Sequence, residues 1–203
     1  MIFLPLSVFI LQLFYWGFLK LKYFFKIFKE SIIIVIFSSI MGLISGTLLS
    51  TNEKVLYAIP IILLLLPALN SLIGDFSIIL ISRLTTHLYI GTIPPKIQKT
   101  ERLKKDFYGL LISVFISVLC LILLGYGIAI ISKIKIVNPI LIILAIIMTV
   151  TILFLLLFIV IFIYCIYLFK KGRDPNNFLI PFITSLVDLL SPLFLIIFIQ
   201  TFI

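Results

Sequence analysis

Asp174-Pro175-Asn176-Asn177-Phe178-Leu179-Ile180-Pro181-Phe182-Ile183-Thr184-Ser185-Leu186-Val187-Asp188-Leu189-Leu190-Ser191-Pro192 sets one carboxylate, Asp188, inside an apolar run that continues to Ile203. Read as one helix from Phe178, the run puts Asp188 about 15 Å deep at 1.5 Å per residue, near the middle of a hydrocarbon core about 30 Å thick. An aspartate there costs roughly 2.5–3.5 kcal/mol on insertion scales, so by default it is functional. Thr184 and Ser185 precede it by four and three positions and Ser191 follows by three, which predicts one stripe of oxygens. Pro181 and Pro192 loosen the backbone on either side. A hard cation is the natural ligand of such a stripe.

The rest of the chain agrees with a membrane reading. Its 203 residues are 64% apolar and 11% charged, with a mean hydropathy of +1.41; soluble domains carry about 25% charge. The composition predicts an all-α, polytopic membrane helical bundle and leaves no stretch for a separate soluble domain. The net charge of +9 comes largely from cations in short loops, which membrane topology explains better than nucleic-acid binding. Cys120 and Cys165 lie in apolar spans, so packing is expected of both and a disulfide of neither.

Residues 1–19 are apolar and end at Lys20, Lys22, Lys26 and Lys29. With the charges after the apolar run and no small-residue cleavage site, they read as a membrane-associated helix and not a signal peptide. Residues 1–30 are therefore set apart from a transmembrane domain over 31–203. Ser31 to Ser50 is the first span, where Gly42 and Gly46 predict close helix packing. The run from Val55 to Gly91 exceeds one straight span and must bend, with Pro60, Pro67 and the cluster Asn70, Ser71, Gly74 and Asp75 as candidates. Ser71, Asp75, Ser82 and Thr86 share one helical face. Phe107–Ser132 and Ile136–Phe169 are two further spans, and the Asp174-Pro175 pair caps the fifth. Twelve Lys or Arg then fall on one side and three on the other. This predicts a cell-membrane protein with residues 20–29, 92–106 and 170–177 cytoplasmic and the C-terminus outside.

Pro67-Ala68-Leu69-Asn70-Ser71-Leu72-Ile73-Gly74-Asp75, with Ser82-Arg83-Leu84-Thr85-Thr86 and Gly91, resembles the first signature of the membrane domain of MgtE and solute carrier family 41. Asp174-Pro175, Pro181, Thr184-Ser185 and Asp188 resemble its second. The resemblance implies magnesium transport through a polar pathway in a dimer, with Asp188 matching the pore aspartate. Asp75 stands where the family usually has Asn, adding a negative charge. The cytoplasmic regulatory domains of bacterial MgtE have no counterpart here, and the single copy of the domain implies a homodimer. The expected ion-binding residues are Asp188 and Asp75, lined by Asn70, Ser71, Thr184 and Ser185. Mg²⁺ is expected as the transported ion, with no resident cofactor.

The rival readings are structural and enzymatic. Asp188 paired with Arg83 or with a backbone donor, or Asp75 paired with Arg83, would hold helices together, as in an accessory or scaffold subunit. His87 reads as an interfacial or packing residue. Two intramembrane aspartates also occur in aspartyl proteases, but Leu72-Ile73-Gly74-Asp75 lacks the first Gly of Gly-x-Gly-Asp, and Val187 stands where Tyr precedes the other aspartate. No Ser/His/Asp set, phosphate loop or Cys/His cluster supports an enzyme.

Overall fold

The computed structural model describes the backbone of residues 6–202 and the side chains from residue 32 onward, with a few aromatic ones before it. Six helices follow one another: α1 Leu6–Thr51, α2 Glu53–Ala58, α3 Pro60–Ile90, α4 Glu101–Ile131, α5 Pro139–Lys170 and α6 Pro175–Phe202. Among the described residues there is no strand, and five helical segments are long and apolar enough to cross a membrane. Four of them have 28 to 32 residues, about 42–48 Å of helix, so each must tilt or project beyond a core of about 30 Å. The backbone of α1 runs unbroken through residues 30 and 31.

Local chemistry sets the helix ends. Ile59 leaves helical geometry at φ −130° and ψ 76°, and Pro60, with its preset φ, opens α3. The bend expected after Val55 is thus made at Pro60, while Pro67 lies inside α3. Gly91 closes α3 at φ +80°, where its N–H reaches the carbonyls of His87 and Leu88. Thr100 accepts a 3.2 Å hydrogen bond from the Leu103 N–H, which starts α4 at Glu101 instead of Phe107 and makes Asp106 helical. Asp174 accepts from the Asn176 N–H at 3.0 Å and Pro175 begins α6, as the sequence suggests.

Helices α3, α5 and α6 form the centre; α1 packs mainly on α6 and α4 mainly on α3. On α5 the buried residues Ile142, Ala145, Thr149, Leu153, Leu157, Ile161 and Cys165 recur every third or fourth position, the spacing of one continuous helical seam. Lipid tails are as apolar as leucine, so this association rests on close packing and interhelical hydrogen bonds. Phe107 of α4 packs within 5.5 Å of the Phe154 ring and 5.0 Å of the Phe158 ring on α5, and Phe154 meets Phe76 of α3 at 5.2 Å. Gly125 of α4 lies so near Leu65 of α3 that a Cβ there would overlap the leucine side chain. Close packing was also expected at Gly42 and Gly46, but among the described residues no atom of another helix lies within 4 Å of a Cβ at either position. Helix α1 meets α6 through Ser38 and Ser45 and through Phe37 stacked on Phe182.

Candidate cation site

Asp188 stands halfway along the 28-residue α6, and Asn70 and Asp75 lie near the middle of the 31-residue α3. The two helices pack together, so residues 118 positions apart in sequence meet. Asn70 donates Nδ2–H to Oδ1 of Asp188 at 2.5 Å. The carboxylate can only accept, which fixes the amide orientation. The Asn70 Oδ1 is then buried without a hydrogen-bond partner among the described residues. It is an oxygen of the kind that a hard cation or its water shell takes up.

A cavity of about 310 Å³ opens beside this pair and is lined by Pro67, Asn70, Ser71, Asp75, Thr184 and Asp188. Five of the six expected ion-binding residues therefore share one space. Six waters of roughly 30 Å³ each, the inner shell of Mg²⁺, fill about 180 Å³. The cavity thus accommodates a largely hydrated ion. Among the described residues no group of three or more His, Cys, Asp or Glu gathers. Two carboxylates with amide and hydroxyl oxygens are what this site offers, a donor set suited to magnesium and other hard ions.

Ser185 is the sixth, and it points elsewhere. It is buried, donating to the Pro181 carbonyl at 2.8 Å and hydrogen-bonded to Ser38 Oγ of α1 at 2.7 Å. At about 100° per residue, Thr184 falls about 40° to one side of Asp188 and Ser185 about 60° to the other. The one faces α3 and the other α1. Thr184 keeps its hydroxyl on the Ile180 and Pro181 carbonyls, at 3.0 and 3.1 Å.

Helix α1 reaches the site in a way that the sequence reading missed. Pro192 has no N–H to give to the carbonyl four residues earlier, which is that of Asp188. The Ser45 hydroxyl donates to it at 2.6 Å. Ser38 and Ser45, seven residues apart, thus lie on one face of α1 against α6. That heptad spacing was visible in the sequence.

Arg83 binds neither candidate carboxylate. Its Nε and Nη2 donate to Oδ1 of Asp106 at 3.1 and 2.5 Å, tying α3 to α4. The Asp106 side chain is wholly buried, and its Oδ2 lies 3.3 Å from His87 Nε2. Arg102 donates to the same His87 nitrogen at 3.0 Å, and Nδ1 lies 2.9 Å from Thr92 Oγ1. A ring nitrogen that accepts is unprotonated, so this is the hydrogen-bond pattern of a neutral histidine with its proton on Nδ1. His87 belongs to a structural node at the basic end. Asp75 and Asp188 have no ion-pair partner among the described residues.

Between this node and the Leu65–Gly125 contact, α3 and α4 part to leave a groove of about 860 Å³ lined by Ser71, Asp75, Gly109, Ser113 and Ser117. Ser71 and Asp75 border both spaces.

A family model described as a divalent cation transporter, MgtE, matches residues 66–198, well over half of the chain. The chain belongs to the MgtE family. The matched MgtE segment begins beside Pro67, ends within α6 and contains Asn70, Ser71, Asp75, Thr184 and Asp188. Neither a curated protein nor a solved structure matches the chain. MgtE membership and the apolar helices make this a multi-pass membrane protein of a transporter family.

Proposed function

We propose that the protein carries divalent cations, magnesium first among them, across the cell membrane through a pathway completed by a second copy of the chain. The observation that carries this reading is the convergence of Asn70, Asp75 and Asp188 on one mid-helix cavity. Both aspartates are exposed on the single chain, and a carboxylate turned to lipid at that depth is costly. A two-fold partner presenting the same face would enclose them in a shared polar space. Asp188 is the principal ion-binding group and Asp75 the second, with Asn70, Ser71 and Thr184 lining the path. Ser185 supports it from the α1 side.

In this reading residues 31–203 are the transport domain, preceded by the membrane-associated segment 1–30. The basic loops face the cytoplasm and the C-terminus lies outside, as the positive-inside rule requires.

Mg²⁺ flux into proteoliposomes holding the purified chain tests the proposal. Saturable flux is expected from wild type and its loss from Asp188→Asn, with Ca²⁺, Mn²⁺ and Co²⁺ compared as competitors. A folded wild-type protein without flux would favour an accessory membrane subunit whose aspartates are structural.

A further inference from the structure

A second groove, of about 300 Å³, lies near the basic end of the bundle where α1, α5 and α6 meet. Ile33 and Phe37 of α1, Tyr164 of α5, and Phe178, Leu179 and Phe182 of α6 line it. The lining is almost wholly hydrocarbon and aromatic, and the Phe37 and Phe182 rings stack at 4.9 Å. Nothing here is built to hold an ion or a polar solute.

Its rim is different. The Arg173 guanidinium sits 5.3 Å from the centroid of Phe178, a lining residue. On the other side Tyr164 neighbours Tyr167 at 6.4 Å, and the Lys171 ammonium lies 4.4 Å over the Tyr167 ring. Tyr164, Tyr167 and Lys171 stand at i, i+3 and i+7, one face of α5 and its end. Gly172, at φ +67°, makes the tight turn that brings Lys171 and Arg173 to the same rim. Both are exposed and have no ion-pair partner among the described residues. The nearby Asp174 carboxylate accepts from the Asn176 N–H, capping α6, and with Lys170 the turn keeps an excess of positive charge.

We propose that this groove is a binding site for one anionic phospholipid, its acyl chain lying along Phe37, Leu179 and Phe182 and its phosphate held by Lys171 and Arg173. Charge complementarity selects the occupant. A hydrocarbon slot ending at two cations matches a molecule with a hydrocarbon chain ending in negative charge, and basic residues beside a membrane surface each favour anionic lipid. The aromatic rings at the rim suit the headgroup level.

Native mass spectrometry of the full chain, released from detergent after titration with phosphatidylglycerol or phosphatidylcholine, tests the assignment. One phosphatidylglycerol is expected to be retained in preference to phosphatidylcholine. The double substitution Lys171→Gln/Arg173→Gln should weaken its retention about 25-fold, from about five-fold per cation. Lys133→Gln/Lys135→Gln, which removes the same charge at the opposite end, should leave it unchanged. Ile33→Trp, at an exposed lining position, should also weaken it by filling the slot. Equal retention of the two lipids, equal loss in the two double variants, or full retention in Ile33→Trp would each overturn the proposal.

Discussion

The Ser45 hydroxyl lies 2.6 Å from the backbone carbonyl of Asp188, across the α1–α6 contact. Pro192 leaves that carbonyl without its helical donor, so the serine restores a bond that the proline removes. The side chain of Asp188 meanwhile faces α3. One residue is thus held from two sides, by its backbone toward α1 and by its carboxylate toward Asn70.

Ser45→Ala should lower Mg²⁺ flux several-fold and cost about 0.5–1.5 kcal/mol of stability. Ser45→Thr, which keeps the hydroxyl, should retain most of both. Flux and thermal unfolding of the same preparations check this, and equal behaviour of the two variants would deny the bond a role.

Asn70→Leu should reduce flux at least ten-fold, because the amide orients Asp188 through its nitrogen and its one oxygen, Oδ1, is left to the site. Asp188→Asn should reduce it further. The order of the two, measured by initial uptake rates in proteoliposomes, separates an orienting group from a principal ion-binding one.

Asp75→Asn should leave transport intact but raise the half-saturating Mg²⁺ concentration about five-fold, the equivalent of about 1 kcal/mol. Asp75 adds charge to the cavity and has no ion-pair partner among the described residues, so losing it weakens attraction more than geometry. Abolished flux would instead make Asp75 as essential as Asp188.

Arg83→Leu should destabilise by about 2–3 kcal/mol, less than a fully buried pair would, because the arginine side chain is 46% exposed while that of Asp106 is wholly buried. Adding Asp106→Leu should recover part of the loss by removing the stranded carboxylate. A double-mutant cycle on detergent unfolding reads the coupling directly.

Gly125→Val should cost about 1–3 kcal/mol by overpacking against Leu65, which is 2% exposed and has little room to move. The same change at Gly127, where a Cβ meets nothing within 4 Å, should be close to neutral. Unfolding midpoints of the two variants make the comparison.

Much of this molecule could be read before its structure, for physical reasons that differ by residue. Asp188 and Asp75 stand out because charge in an apolar span is costly, and Ser71 joins Asp75 because four residues make just over one helical turn. The Asn70–Asp188 pair was not legible in the same way. Its geometry depends on the rotation of two helices about their own axes, which periodicity leaves open. Ser185 was misplaced because three and four residues before Asp188 fall on opposite sides of it, a difference that matters once α1 occupies one side and α3 the other. The partner of Arg83 was not legible because Asp106 was assigned to a loop, which left Asp188 and Asp75 as the acids of the rival pairing. The Thr100 cap makes Asp106 the helical residue that faces Arg83.

The serine contacts tie α1 to α6 even though the matched family segment begins after it. Ser38 and Ser45 grip α6 on either side of the turn that carries Thr184 and Asp188. Most of α1 over Ile32–Thr51 is open to its surroundings, yet it is clasped to α6 at the very residue that bears the mid-span carboxylate.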